Sequence, residues 1–231
     1  MMQSLWNKFD TIISLDTETS GLGMQAEIIE FGGICYSRGA NAVGAEAKTL
    51  DVLLRLPPGQ HLGWKITQIT GLTDNILQKQ GIDKKRAAEA VSQFLTTTSR
   101  PLIVAYNAQF DLPRLYYLLK DFQLDAPLRR AKFLDVMTVY RDRRPKPHTL
   151  EVAITAYAVH EKNSHRAMDD ARAAFRVLEA MGREKDDLAY YIGIFGYLPR
   201  FGRPNPRIAS IDYRPQPSLE FIPERPLYEN F

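Results

Sequence analysis

Two acidic residues, Asp16 and Glu18, end an apolar and β-branched run in the sequence SLDTETSGL. Alternate residues of a strand point to the same face, so we expect the two carboxylates to lie side by side. Adjacent carboxylates repel each other unless a cation lies between them, and Mg²⁺ and Mn²⁺ prefer oxygen ligands. The pair therefore predicts half of a hard-metal site, although D-x-E alone is more often a solvated strand end.

Two later groups add acids and an imidazole. Asp111 ends YNAQFD, where a short apolar strand is predicted to lead into a helix, and an acid in a first helical turn also has a purely structural use. In SHRAMDDA, His165 precedes a predicted helix and Asp170 lies in its first turns. The small residues Ala167 and Ala171 allow this helix to approach the sheet closely, which would turn Asp170 inward.

In this order, the three groups resemble the DEDDh branch of the DnaQ-like 3′→5′ exonucleases, which have a ribonuclease H-like fold. That family carries D-x-E on a strand, N-x-x-F/Y-D opening a helix, and H-x-x-x-x-D opening a later helix. Here these patterns occupy residues 16–18, 107–111 and 165–170, and the flanking TETSGL, IIEFGG, ITGLTD and HTLEVA agree. The resemblance extends over roughly residues 10–182.

The resemblance implies a hydrolase that removes nucleotides from a 3′ end and releases nucleoside 5′-monophosphates. Two divalent ions, Mg²⁺ or Mn²⁺, would lie about 3.5–4 Å apart, held by Asp16, Glu18, Asp111 and Asp170. Asp16 would bridge both ions, Glu18 and Asp170 would hold the side of the attacking water, and Asp111 would act largely through metal-bound water. His165 would be the general base, because imidazole titrates near neutral pH.

The same resemblance implies four positions for substrate binding: Thr17, Leu22, Ile69 and Asn107. The first three fall where relatives hold the terminal nucleotide, by backbone contact and by wedging against the last base. We expect the substrate to be single-stranded or frayed DNA. An exoribonuclease is the alternative, because the sequence does not indicate whether a 2′-hydroxyl is recognised. A catalytically silent nucleic-acid-binding module and an accessory subunit of a DNA-processing complex are further alternatives.

Other ionisable residues compete for these roles. Asp169 would replace Asp170 if the helix were rotated, but the five-residue spacing from His165 favours Asp170. We expect Glu30 and Asp135 to form hydrogen bonds inside the fold. The acid and histidines expected outside the site are Asp10, His61, His148 and His160.

The elements that must position these residues indicate an α/β fold. Apolar and β-branched runs at residues 11–16, 28–36 and 49–56 predict three strands of an antiparallel meander. A helical period marks residues 83–98, 110–122, 149–158 and 167–181, and a short strand is predicted at 101–106. Residues 132–139 fit either a strand or the start of a helix. The pattern predicts a mixed central sheet flanked by helices.

Composition sets the domain plan. The 231 residues are 45% hydrophobic and 25% charged, which suits one globular domain with an appendage. We expect an exonuclease domain at residues 1–195 and a proline-rich C-terminal extension at 196–231, either folded on the domain or partly loose. Such an extension could dock the chain to a polymerase or another DNA-processing complex.

Charge and cysteine content bear on the environment. Residues 129–148 hold seven basic residues and two acids, so this segment is predicted either to follow a phosphate backbone or to form a solvated loop. The one cysteine, Cys35, lies in a predicted buried strand and fits a reducing compartment. No apolar run approaches the roughly 20 residues of a membrane span, and we expect a cytoplasmic protein.

Overall fold

The computed structural model describes residues 2–23, 25–38, 43–96 and 101–229. A five-stranded mixed sheet forms its centre, in the order β3-β2-β1-β4-β5. Strands β1 to β3 are antiparallel neighbours, whereas β4 and β5 run parallel to β1. The strands are β1 Thr11–Thr19, β2 Ile28–Arg38, β3 Val43–Leu53, β4 Leu102–Ala105 and β5 Lys132–Asp135. The α/β class and the predicted meander are confirmed.

Helices cover both faces of this sheet. Asp83 and Thr149 cap helices as their positions predict, since each side chain accepts a hydrogen bond from the amide three residues later. Residues 132–139 prove to be both a strand and the start of a helix. The helices are α1 Gln3–Trp6, α2 Trp64–Thr70, α3 Asp74–Gln80, α4 Lys84–Leu95, α5 Ala108–Lys120, α6 Ala126–Arg130, α7 Val136–Arg141, α8 Leu150–Ala156 and α9 Ala167–Glu184.

The predicted helices are present with small shifts at their ends. The helix predicted at 83–98 ends at Leu95, and residues 97 and 98 lie outside the described residues. The short helices α1, α2, α3 and α6 were not predicted, because each is too short to show a clear period.

The sheet separates two hydrophobic clusters. Ile12 of β1 packs with residues of α9 on one face, whereas Ile13 and Leu15 pack with α4 and α5 on the other. This division follows from the alternation of side chains along a strand. It assigns the even-numbered residues of β1 to the α9 face, and these include both acids of the D-x-E sequence.

The basic segment differs from both predictions made for it. Arg141 and Arg143 are buried rather than free to follow a phosphate backbone or to lie in solvent. Arg143 donates to the carbonyls of Met181 and Lys185 at the C-terminal end of α9 and to Asp187. Helix ends leave carbonyls without intrahelical partners, so this guanidinium caps α9. Both predictions are wrong for these residues.

The proline-rich segment lies against the domain over its described part. Strand β7 (Asp212–Pro215) pairs in parallel with β6 (Ile194–Tyr197). Gln216 is buried and donates to Asp142, which also accepts from the main-chain amide of Leu227. The division expected between residues 195 and 196 falls within β6 and stays a prediction.

Two smaller observations complete the fold. Cys35 is buried in β2, as predicted, and burial raises the pKa of its thiol. Across the described ranges, no helix has both the length and the apolar character that a membrane span requires.

Candidate active site

The site begins at the end of β1. In the sheet, Asp16 is the register partner of Gly32, and Glu18 is the partner of Glu30 on β2. A bulge follows Glu18, so the strand pairing shifts there. The two carboxylates therefore stand on the face that α9 covers, at the strand end where the chain turns away.

Helix α9 reaches the sheet at a position that only glycine allows. A Cβ atom at Gly32 would lie 2.2 Å from the main-chain nitrogen of Met168 and 2.3 Å from the carbonyl carbon of Ala167. A second tie comes from Ser14, whose hydroxyl donates to the carbonyl of Ala171 at 2.6 Å. These contacts set the first turn of α9, which carries Asp170, against the strands that carry Asp16 and its neighbours.

Asp111 reaches the site from the first turn of α5. Asn107 has a φ of +65°, in the left-handed region, and this turn starts α5 directly after the buried strand β4. Asp111 is buried and accepts two hydrogen bonds on one oxygen, from the amide of Thr17 at 3.0 Å and from its hydroxyl at 2.6 Å. Thr17 therefore fixes the position of Asp111, and its predicted contact with a substrate stays a prediction.

His165 and Asp170 meet Glu18. One ligand atom from each of these three side chains lies within 4.8 Å of the other two. Asp170 is buried and accepts a hydrogen bond from the amide of Ser164 at 3.1 Å. Asp169, its predicted rival, is exposed and bonds the Ser164 hydroxyl instead. The structure thus brings Asp170, and not Asp169, into this group.

His165 itself is exposed, with a φ of +54°. Such a backbone conformation is unusual for a residue other than glycine and is often found at functional positions. Just before it, Asn163 supports Asp170: when its amide nitrogen faces the carboxylate, it lies 2.9 and 3.2 Å from the two oxygens. Sequence inspection missed Asn163 and Ser164, because short polar residues in a loop carry no distinctive signal.

The electrostatics of the acids are strongly coupled. Burial, followed by the charges of Asp111, Asp170 and Glu18, raises the pKa of Asp16 well above its usual range. Burial and the Asp170 charge raise the pKa of Glu18 to about 8. Burial raises the pKa of Asp111 to about 7, against the hydrogen bonds from Thr17, and that of Asp170 to about 7, against the bond from Ser164.

Glu30 and Asp135 lie close to these acids but have separate partners, as predicted. Buried Glu30 pairs with Arg166 at 2.6 Å and also accepts from the amide of Ala167. Asp135 accepts from the amide of Ala108 and from the hydroxyl of Thr138. Arg166 was missed, since a single arginine in a loop gives no indication of the buried acid that it meets.

Of the four predicted substrate residues, Leu22 and Ile69 are exposed. Leu22 is 85% exposed on the loop after β1, and Ile69 is 41% exposed on α2. Arg114 of α5 donates to the carbonyl of Leu22 at 2.7 Å and thereby fixes the loop. Asn107 is half-buried, and its side-chain oxygen accepts from Gln109.

The chemistry of the cluster suits a divalent cation. Carboxylate oxygens are the ligands that hard cations prefer. The raised pKa values show that the negative charges are poorly compensated by the protein itself. A bound cation would reverse these shifts, because opposite charge favours the ionised carboxylate. The donor set therefore fits a divalent metal ion, with an imidazole at its exposed side.

Comparison with known proteins agrees with this geometry. The sequence model of the RNase T family, described as Exonuclease, matches residues 13–178, a range that includes the acids and the histidine discussed above. DNA polymerase III PolC-type of Thermotoga petrophila is 28% identical over 170 residues, which cover 72% of this chain and 11% of that protein. The chain thus spans about a tenth of the length of this relative.

Two further proteins are similar to this chain. One is similar in sequence over most of its length, and the other is similar in fold. DNA polymerase III subunit epsilon of Treponema pallidum is 27% identical over 175 residues, which cover 73% of this chain and 74% of that protein. E. coli exonuclease I, solved in a zinc-bound complex with single-stranded DNA, has a TM-score of 0.65 and 17% identity. The similarity covers 78% of this chain and 42% of exonuclease I and shows a shared fold. The chain belongs to the exonuclease family, among the DnaQ-like members of the RNase H-like superfamily.

Proposed function

We propose that this chain removes nucleotides one at a time from the 3′ end of DNA, using two divalent cations, Mg²⁺ or Mn²⁺. The convergence of Glu18, His165 and Asp170 beside Asp16 carries this proposal, because it joins the oxygen ligands that hard metals prefer to an imidazole that can accept a proton. Asp16, Glu18, Asp111 and Asp170 would hold the cations.

The proposed reaction is hydrolysis of the last phosphodiester bond. Bound cations would supply neutralisation of the phosphate charge and acidification of the attacking water. His165 would accept the proton of that water as its oxygen forms a bond to phosphorus. The bond from phosphorus to the 3′ oxygen of the preceding nucleotide breaks, and that oxygen takes a proton from solvent. The products are a nucleoside 5′-monophosphate and a shortened strand.

The choice of DNA is supported by the relatives. One of them is named as a DNA polymerase III of the PolC type and another as the epsilon subunit of DNA polymerase III, and the structure of similar fold is a complex with single-stranded DNA. An exoribonuclease is the alternative. Association with a polymerase or another DNA-processing complex is the second part of the proposal, supported by the same names.

The first test is a digestion of single-stranded DNA, duplex DNA and RNA, each labelled at the 5′ end. We expect a ladder that shortens from the 3′ end, with single-stranded DNA cleaved fastest. EDTA should stop the reaction, and Mg²⁺ or Mn²⁺ should restore it. Cleavage that persists in chelator would rule out the metal mechanism, and faster loss of RNA would support the exoribonuclease.

Two variants test whether Asp16 belongs to the active site. Asp16→Asn should abolish cleavage in a folded protein, because it removes a charged ligand that the other acids surround. Asp10→Asn is the matched control, since Asp10 is an exposed acid just before the same strand. Full activity of Asp16→Asn would overturn the site assignment.

His165→Ala tests the general base separately. We expect kcat to fall by about 10²–10⁴-fold with little change in the affinity for DNA. The pH dependence of the residual activity should also lose the ionisation that reports the imidazole. A variant that changes only KM would show that His165 binds substrate and does not accept the proton.

A further inference from the structure

Helix α2 presents an exposed face of mixed chemistry. Trp64 is 72% exposed and Ile69 is 41% exposed, and Lys65 and Gln68 are exposed between them. Residues four apart are neighbours on a helix surface, so Trp64 lies beside Gln68 and Lys65 lies beside Ile69. The four side chains therefore form one continuous patch, the α2 face, with an indole, a cation, an amide and an aliphatic group.

The opposite side of α2 packs against the end of the sheet that carries the site. Ile66 packs against the hydrophobic cluster that contains Ile29 of β2. Ile29 directly precedes Glu30, which is the register partner of Glu18. Helix α2 therefore packs at the same end of the sheet as the carboxylates.

The charge of the segment that contains α2 favours the binding of a polyanion. Residues 52–73 contain no acid and include Arg55 and Lys65. The first acid after them, Asp74, is paired with His61 at 2.7 Å. A strand of nucleic acid that leaves the carboxylate cluster across α2 would meet no negative side chain from this segment.

An exposed indole beside a lysine side chain is suited to stack on a nucleic-acid base. Proteins hold single strands by stacking bases on aromatic side chains next to basic residues that contact the backbone. Burial would be the usual environment of a tryptophan, and the other one, Trp6, is only 4% exposed in the core. Exposure of Trp64 leaves its indole accessible to a ligand.

We propose that Trp64 is a base-stacking surface for the nucleotides that follow the terminal one, on a track that crosses the α2 face, with Lys65 facing their phosphates. This inference rests on the proposed exonuclease function and makes single strands of several nucleotides the preferred substrate. The bases next to the 3′ end would thus add to binding without taking part in the chemistry.

The direct test is tryptophan fluorescence. Because Trp6 is buried, a change on binding reports Trp64. In EDTA, a single-stranded (dT)₁₂ should quench the fluorescence of the full chain, and Trp64→Phe should lose this response. A dodecamer of the same charge that lacks bases two to four from its 3′ end should quench much less. Equal quenching by both oligonucleotides, or none by either while both bind, would overturn the proposal.

Kinetics supply an independent test. Trp64→Ala should raise KM for (dT)₁₂ roughly tenfold or more, and Trp64→Phe should raise it far less, as expected for stacking. Both variants should hydrolyse the p-nitrophenyl ester of thymidine 5′-monophosphate as the unmodified chain does, because this substrate has only one base. An unchanged KM for (dT)₁₂ in Trp64→Ala would overturn the proposal, as would an equal loss on the ester.

Tyr190→Ala is the matched control. Tyr190 is 67% exposed but follows the C-terminal end of α9, whose 18 residues extend from the site. That helix is about 27 Å long, so Tyr190 is too distant to contact nucleotides near the 3′ end, and its variant should keep the original KM. If the unmodified chain hydrolyses neither substrate, the proposed function fails, while the quenching experiment still decides whether Trp64 stacks on bases.

Discussion

Gly32→Ala should disable the site without touching any carboxylate. The added Cβ would lie 2.2 Å from the nitrogen of Met168, whereas ordinary contacts begin at 3.4 Å. The first turn of α9 must therefore retreat from the sheet by about 1 Å or more, and Asp170 and His165 move with it. A displacement of about 1 Å at catalytic groups can cost on the order of 10²-fold in rate.

The expected stability change is moderate. Inserting a methyl group into a packed interior costs about 1–3 kcal/mol, and for a chain of this size that lowers Tm by roughly 3–10 °C. Gly33→Ala provides a matched control, because its Cβ would meet the side-chain rings of Phe94 and Phe31 at 2.6 and 2.9 Å. This overlap lies on the opposite face, so the variant should be destabilised and still keep α9 in place.

The assay compares kcat on a labelled oligonucleotide for both variants, at a temperature well below each measured Tm. Gly32→Ala should be about 10²-fold slower than the unmodified chain, and Gly33→Ala should stay within a few-fold. Mg²⁺ should also raise the Tm of Gly33→Ala more than that of Gly32→Ala. The reasoning fails if Gly32→Ala keeps its kcat, or if the two variants slow equally.

Three further outcomes are expected. In the metal-free protein, Glu18 and Asp170 have raised pKa values of about 8 and 7, so the folded state binds more protons than the unfolded chain between about pH 4 and 8. At about 1.4 kcal/mol per pKa unit, the two acids should together lower the free energy of unfolding by up to about 7 kcal/mol from pH 5 to pH 8.5, measured by urea denaturation. Mg²⁺ at 100 times the Kd that it has at pH 8.5 should restore about 2.7 kcal/mol at that pH, measured in the same way, and the same concentration should restore less at pH 5, where protons compete for the carboxylates; an equal effect at both pH values would contradict this assignment. Arg166→Gln should lower the free energy of unfolding by about 2 kcal/mol or more, because Glu30 stays buried without its partner; adding Glu30→Gln should recover most of that loss in thermal unfolding.

The sequence was most informative where the local pattern and the tertiary structure depend on the same residues. Strands β1 and β2 and helices α4 and α9 were predicted because their apolar periods are the faces that pack. The order of Asp16, Asp111 and Asp170 along the chain indicated one site, since each ends a strand or opens a helix. Such positions meet at the edge of a sheet, and the structure brings them together there.

What the sequence could not indicate depends on the direction of a side chain in three dimensions. Arg143 belongs to a run of basic residues that looks solvated, but it is buried because the carbonyls at the end of α9 need donors. In the sequence, Gly32 is only part of the IIEFGG segment that resembles the family. Its structural role follows from helix α9, which packs directly over it. Trp64 has an ordinary local context, and only its exposure distinguishes it.

The site combines unfavourable charge with rigid support. Each of three buried acids has its own donor: Thr17 for Asp111, Ser164 for Asp170, and Arg166 for Glu30. These bonds hold the carboxylates in place against mutual repulsion, so a cation that binds meets ligands already oriented. Because burial still dominates the raised pKa values of Asp111 and Asp170, these two carboxylates bind protons when metal is absent. Proton release on metal binding, larger at pH 6 than at pH 8, is the thermodynamic consequence of this arrangement.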